Sequence, residues 1–320
     1  MRPRLCASGL RRFCFFAAAV LAAQEPTFRA ASYLVIAPVT VTHPDGTPAD
    51  GLAPSDFILL DNGRPVPFDA DGYIPPISLV VAVENSNLSD AALAKLRGFG
   101  PLIEPLLTGE RGKAAVIAYD SEVRVIQGLT NDAALLKRAF TGLKSRGSHN
   151  GRMLDATQAA VGVLRDAPAD SRRVLVVIGE SKDRGSEAKL ADVLTEVQRE
   201  NILIYALNYS PFLTPWTTKA SDMPRMPCCN LIESLAELGR LGKEKAADVL
   251  AHETGGRTLG FLTRGAMEQS VTKIGEELHS QYLISFTATG EPGQYHPIEV
   301  RLRNPGDLKV RTRPGYWLVP

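Results

Sequence analysis

Cysteine is scarce, with four residues in a chain of 320. Cys6 and Cys14 fall near the start, and Cys228 and Cys229 are adjacent. A small fold stapled by disulfides is therefore excluded. In an oxidising compartment the adjacent pair could form a strained vicinal ring or an intermolecular bridge, though adjacency alone compels neither, and no nearby Cys or His completes a metal-ligand set around it. Net charge is nearly absent, +1 over the whole chain, which argues against a surface built to track a nucleic-acid backbone. After residue 25 no apolar run reaches the roughly 18 residues a membrane-spanning helix needs. What remains is an ordinary globular composition, 44% hydrophobic and 22% charged, which excludes collagen, coiled coil and wholesale disorder.

The first residues read as a targeting segment. Arg2, Arg4, Arg11 and Arg12 precede the apolar run Phe13 to Ala23, which ends in small residues before the polar Gln24-Glu25-Pro26. A basic start, a short apolar stretch and a small-residue boundary are the marks of a secretory signal peptide over 1–23. Its removal would take four arginines and no acids, leaving acids in slight excess. Secreted or periplasmic localisation follows as an expectation.

Beyond it, residue patterns define three regions. In 24–74, the β-branched stretch Tyr33 to Thr42 and the strand Phe57 to Leu60 lead to Asp61-Asn62-Gly63, a strong hairpin signal. In 75–280, strands and helices alternate. Continuous apolar strands at 77–83, 113–119, 174–178 and 202–207 are those of a sheet covered on both faces. Between them helices are expected from Asp90, from Asp132 to Leu143 with Asn131 or Asp132 as cap, from Met153 to Asp166, and from Leu190 to Glu200. Val123 to Ile126 pairs beside the second strand. An irregular insertion at 210–230 carries Trp216 among prolines and threonines and is a candidate recognition loop. Helices at 231–241, 244–252 and 266–278 follow, with Gly255-Gly256 as a stop and a short strand at 258–262. In 281–320 the pattern returns to antiparallel β at 282–286, 296–302 and 308–312. The fold class is thus α/β, a doubly wound and mostly parallel sheet with helices on both faces. The two flanking β segments are each too short to bury a core, so they are expected to pack on one another. The charges of Lys243-Glu244-Lys245 and of Arg301 to Arg313 are expected on solvated faces.

In open parallel sheets ligands bind outside the carboxyl ends of the strands. Three polar loops lie there: Glu84 to Ser89, Gly147 to Arg152, and Gly179 to Asp183. The third nearly matches a G-x-S-x-G nucleophile elbow. A serine hydrolase would use Ser181 with His252 or His279 as base and Asp248 or Glu253 as acid, but Asp183 stands where the elbow needs its last glycine.

The arrangement resembles the von Willebrand factor A domain, and the order of the whole chain is similar to the VWFA-related family of acidobacterial type. Phe28-Arg29-Ala30, Val39 to Gly46 and Gly51 to Phe57 with Asp61-Asn62-Gly63 match its opening, and Leu278 to Phe286 and Val310 to Tyr316 its closing β unit. The resemblance implies a metal-ion-dependent adhesion site, with Asp-x-Ser-x-Ser on the first loop, Thr on the second and Asp on the third. Here those positions are Glu84, Ser86, Leu88, Gly151 and Glu180. Ser89 would be the substitute for the lost second serine. Any Mg²⁺ would thus fall to Glu84, Ser86 and Glu180, and Mg²⁺ demands near-octahedral oxygen geometry. The expectation is a retained loop scaffold with a lapsed metal site and no catalytic residue. The resemblance further implies a non-enzymatic module binding an extracellular or envelope protein through Glu84, Asn85, Ser86, Ser89, Asn150, Gly151, Glu180 and Ser181. A structural envelope component is the other alternative to the hydrolase.

Overall fold

A computed structural model describes residues 33–70, 75–86, 90–209, 245–288 and 293–318, with 90–92 described by backbone only. The chain opens with β1 (Tyr33–Thr42), β2 (Phe57–Asp61), β3 (Arg64–Pro65) and β4 (Asp69–Ala70). Asn62 and Gly63 take φ of 49° and 74°, the left-handed pair a two-residue hairpin turn needs, so β2 and β3 pair as the Asn-Gly signal requires.

The α/β part follows: β5 (Ile77–Glu84), α1 (Asp90–Leu96), β6 (Lys113–Tyr119), β7 (Val123–Thr130), α2 (Ala133–Thr141), α3 (Met153–Arg165), β8 (Arg172–Gly179), α4 (Leu190–Arg199), β9 (Leu203–Asn208), α5 (Ala246–Glu253), β10 (Thr258–Gly260) and α6 (Arg264–Ser280). An irregular helical stretch, Gly100–Leu102 then Ile103–Thr108, lies between α1 and β6. The six strands run β10-β9-β8-β5-β6-β7. All neighbours are parallel except β7, which runs antiparallel to β6 at the edge. Every residue of β5 is buried, because alternate side chains enter two different cores. Leu79, Val81 and Val83 meet Phe140 of α2 and Met267, Val271 and Ile274 of α6 on one face. Val80 and Ala82 meet Val161 and Leu164 of α3 and Val193 and Val197 of α4 on the other. Burying a Val or Leu stabilises by about 1.5–3 kcal/mol, which is why such an apolar run is read as a doubly covered strand. The cap of α2 is Asp132, whose carboxylate accepts from the amides of Ala134 and Leu135.

The chain then returns to antiparallel β: β11 (Tyr282–Ala288), β12 (Tyr295–Leu302), β13 (Lys309–Arg311) and β14 (Gly315–Trp317). Two four-stranded sheets, β13-β1-β11-β4 and β14-β12-β2-β3, each combine strands from both ends of the chain. They share one core of Val35, Val39, Phe57, Leu59, Phe286, Ile298 and Tyr316. β4 and β14 carry no sequence signal of their own, being two and three residues long.

A polar seam joins the β sheets to the α/β part. Glu277, 6% exposed, pairs with Arg257 Nη2 at 2.6 Å and with Arg311 Nη2 at 2.5 Å. Arg311 also donates to the carbonyl of Gly255 and to Thr40 Oγ1. Gln281 Nε2 donates to the same Thr40 oxygen at 2.7 Å. Arg313, 3% exposed, donates to the carbonyls of Gly315 and Ile36, and burial pulls its guanidinium down to about 10. The expected solvated face is therefore corrected in part. Arg301 and Arg303 are exposed, whereas Arg311 and Arg313 serve the seam, because β13 pairs with β1 against the α/β part. The insertion at 210–230 with Trp216, the expected helix at 231–241, Cys228 and Cys229, and the leader all lie outside the described residues.

Candidate functional site

Strand order reverses direction at β5, since β6 lies on one side of it and β8 on the other. That opens a crevice at the carboxyl ends of these strands, and the three polar loops leave from it. The parallel registers bring Glu84 opposite Tyr119 and Gly179 opposite Asn208, so the first and third loops start at one level, and the second, between α2 and α3, joins them through Gly151 and Arg184.

Glu84 is the centre. It is 2% exposed, yet every oxygen is engaged. Oε1 accepts from Ser86 Oγ at 2.7 Å and from Arg184 Nη2 at 2.9 Å, and Oε2 accepts from the Glu180 amide at 2.9 Å. Arg184 Nη1 pairs with Glu180, so two carboxylates share one guanidinium. Burial opposes the Arg184 charge, but the hydrogen bond to Glu180 and the charges of Glu84 and Glu180 outweigh it and hold the guanidinium above its ordinary value. Beneath lies Tyr119, 1% exposed, whose phenol is pushed well above its usual range by burial and then by the Glu84 charge.

The second and third loops are zipped together. Gly151 and Arg184 exchange both backbone hydrogen bonds at 3.0 Å, forming an isolated antiparallel bridge. Asp183 Oδ1 accepts from the Leu154 amide at 3.0 Å, filling one of the unpaired donors at the start of α3 from across the crevice. Asp155 returns the favour, accepting from the amides of Glu187 and Ala188. A Cβ added to Gly151 would stand 2.8 Å from Glu84 Oε1, so the extra methylene of Glu84 and the missing side chain at 151 occupy one space.

A second charged group supports the first loop. Asp120, 1% exposed, pairs with Arg124 at 2.7 Å and accepts from the Glu122 amide. Burial pushes its carboxyl up, but the hydrogen bonds from Arg124 and Glu122 outweigh that and hold it below the ordinary value. Arg124 also donates to Asn85 Oδ1, and Asn85 Nδ2 donates to the Lys144 carbonyl.

Of the residues expected at the rim, Glu84, Asn85, Ser86 and Gly151 thus converge but are buried, and their polar groups are spent on holding the loops. Asn150 is exposed, and Glu180 and Ser181 are partly so. Ser89 lies outside the described residues. The hydrolase arrangement is not assembled. Ser181 Oγ donates to Asp248 Oδ2 at 2.8 Å, a carboxylate rather than an imidazole. His252 Nδ1 sits 3.2 Å from Glu253, and His279 lines a cleft of about 330 Å³ with Pro75, Thr108 and Arg111 at the opposite edge of the sheet. A metal fits poorly as well. Gly151 offers no hydroxyl, and Glu84 Oε1 and Glu180 Oε2 are committed to a cation that the chain itself supplies. Arg184 and Asp120 escaped the sequence reading. The i,i+4 spacing of Glu180 and Arg184 was the only local signal for the first.

Sheet order and site position make the α/β part von Willebrand factor A-like. Among solved structures, BatB from Bacteroides thetaiotaomicron is similar at 13% identity and TM-score 0.44, over 63% of this chain and 98% of its own. An aerotolerance-related membrane protein from Bacteroides fragilis is similar at 16% and 0.43, over 63% and 98%. A von Willebrand factor type A protein from Catenulispora acidiphila is similar at 12% and 0.44, over 91% and 76%. No family model matches the chain. No curated protein matches it either. Among the described residues no helix is long and apolar enough to cross a membrane.

Proposed function

We propose that this chain is a non-enzymatic binding module, acting outside the cytoplasm, that grips a protein partner with the exposed margin of the three loops. The observation that supports this is the division of labour at the rim. Glu84, Asn85 and Ser86 are consumed inside, leaving a pre-organised margin of His149, Asn150, Lys182, Gly185 and Glu187 at the surface. A rigid scaffold presenting polar loop residues loses little entropy when it binds. Contact is direct, without a bridging metal.

Affinity capture from an envelope extract tests it, comparing the wild type with an Asn150→Arg, Lys182→Glu double variant. The expected result is a protein enriched by the wild type alone and retained in EDTA. Equal capture by the variant, or release by EDTA, would overturn the reading. So would labelling by a fluorophosphonate probe that disappears in Ser181→Ala.

A further inference from the structure

One residue touches all three loops. Arg184 reaches the first through Glu84, binds the second through both backbone hydrogen bonds to Gly151, and closes its own loop on Glu180. We infer that its guanidinium is a built-in replacement for a divalent ion, joining the two carboxylate positions that would otherwise flank a metal and fixing the rim in one shape whatever the metal supply.

Two departures from the metal-binding pattern and one added cation then form a compensated set. Glu84 carries its carboxylate one methylene further into the crevice. Gly151 vacates the space that methylene takes, as the 2.8 Å approach of an added Cβ shows. Arg184 supplies a planar fork whose two arms meet two carboxylates, a geometry that suits guanidinium better than an ammonium point charge. Ser86 Oγ and the Glu180 amide also bind the Glu84 carboxylate, so each of its oxygens is already engaged. A divalent ion entering here would face a resident positive charge and would have to expel it.

The test uses the full chain without any partner, so its failure and that of the binding reading are separable. Amide exchange is followed at Gly151, Glu180 and position 184. In the wild type, protection should be the same in EDTA and in millimolar Mg²⁺, and titration with Mn²⁺ should show no one-to-one site. Arg184→Ala should speed exchange at these amides by roughly tenfold or more beyond any change that lowered global stability brings to the central strands. Millimolar guanidinium or Mg²⁺, but not sodium at equal ionic strength, should restore protection, and Glu84→Gln in the same background should abolish that rescue. Arg184→Lys, which keeps the charge without the fork, should fall between and covers the case in which the alanine variant does not fold. Tight Mn²⁺ binding by the wild type, unchanged exchange in both variants, or a loss of protection that neither cation reverses would overturn the inference.

Discussion

The rim and the seam between the sheets solve the same electrostatic problem with inverted stoichiometry. At the rim two glutamates share Arg184, and at the seam two arginines share Glu277. Their burial differs in the same inverted way. Glu84 is 2% exposed at its side chain while its arginine is 20% exposed, so the acid depends on that single base. Glu277 is 7% exposed, but its arginines, at 37% and 31%, can turn to water if the acid is lost. A buried charge whose only partner disappears is costly, whereas a half-exposed one is rehydrated. The rim is accordingly the more fragile of the two, and it is also the region placed where ligands meet this class of sheet.

This contrast can be broken by substitution. The largest effect is expected from Arg184→Ala, which strands Glu84 and should cost about 3–5 kcal/mol in chemical unfolding. Glu277→Gln should cost less, about 1–3 kcal/mol, since its arginines regain solvent. An equal or larger loss at the seam would reverse the ranking. Gly151→Ala should destabilise by about 1–3 kcal/mol through overpacking against Glu84, and adding Glu84→Asp should recover part of that loss, a non-additivity measurable in a double-mutant cycle. The smallest effect concerns acid. Because the Asp120 carboxyl is held below its unfolded value, the unfolded state binds more protons as pH falls. Its stabilisation is complete above about pH 4 and is lost as pH drops through the folded value. Asp120→Asn should flatten the acid limb of the stability curve, and an unchanged limb would remove Asp120 from the rim's supports.

Much of this was legible in the chain. The strands of the parallel sheet announced themselves as short apolar runs, Asn62-Gly63 as a hairpin, and Asp132 as a cap, because each depends on neighbours within a few residues. The convergence of Glu84, Ser86 and Glu180 was reachable through the strand ends they close or follow, and that of Gly151 through the helix start it precedes. Arg184 was not, since its partner Glu84 is 100 residues away and nothing in Lys182-Asp183-Arg184-Gly185 distinguishes it from a solvated charge. The same applies to Arg311 and Arg313, whose alternation with Thr312 looks like an exposed strand until β13 is paired to β1.

Local periodicity and turn chemistry by themselves determined where strands, helices and loops lie and which edge of the sheet carries polar residues. Only the tertiary structure decided which charges face one another there. Ion pairing at the rim depends on distances set by the twist and register of strands far apart in sequence, and a guanidinium can take a cation's place only where the fold has already brought two carboxylates within its reach.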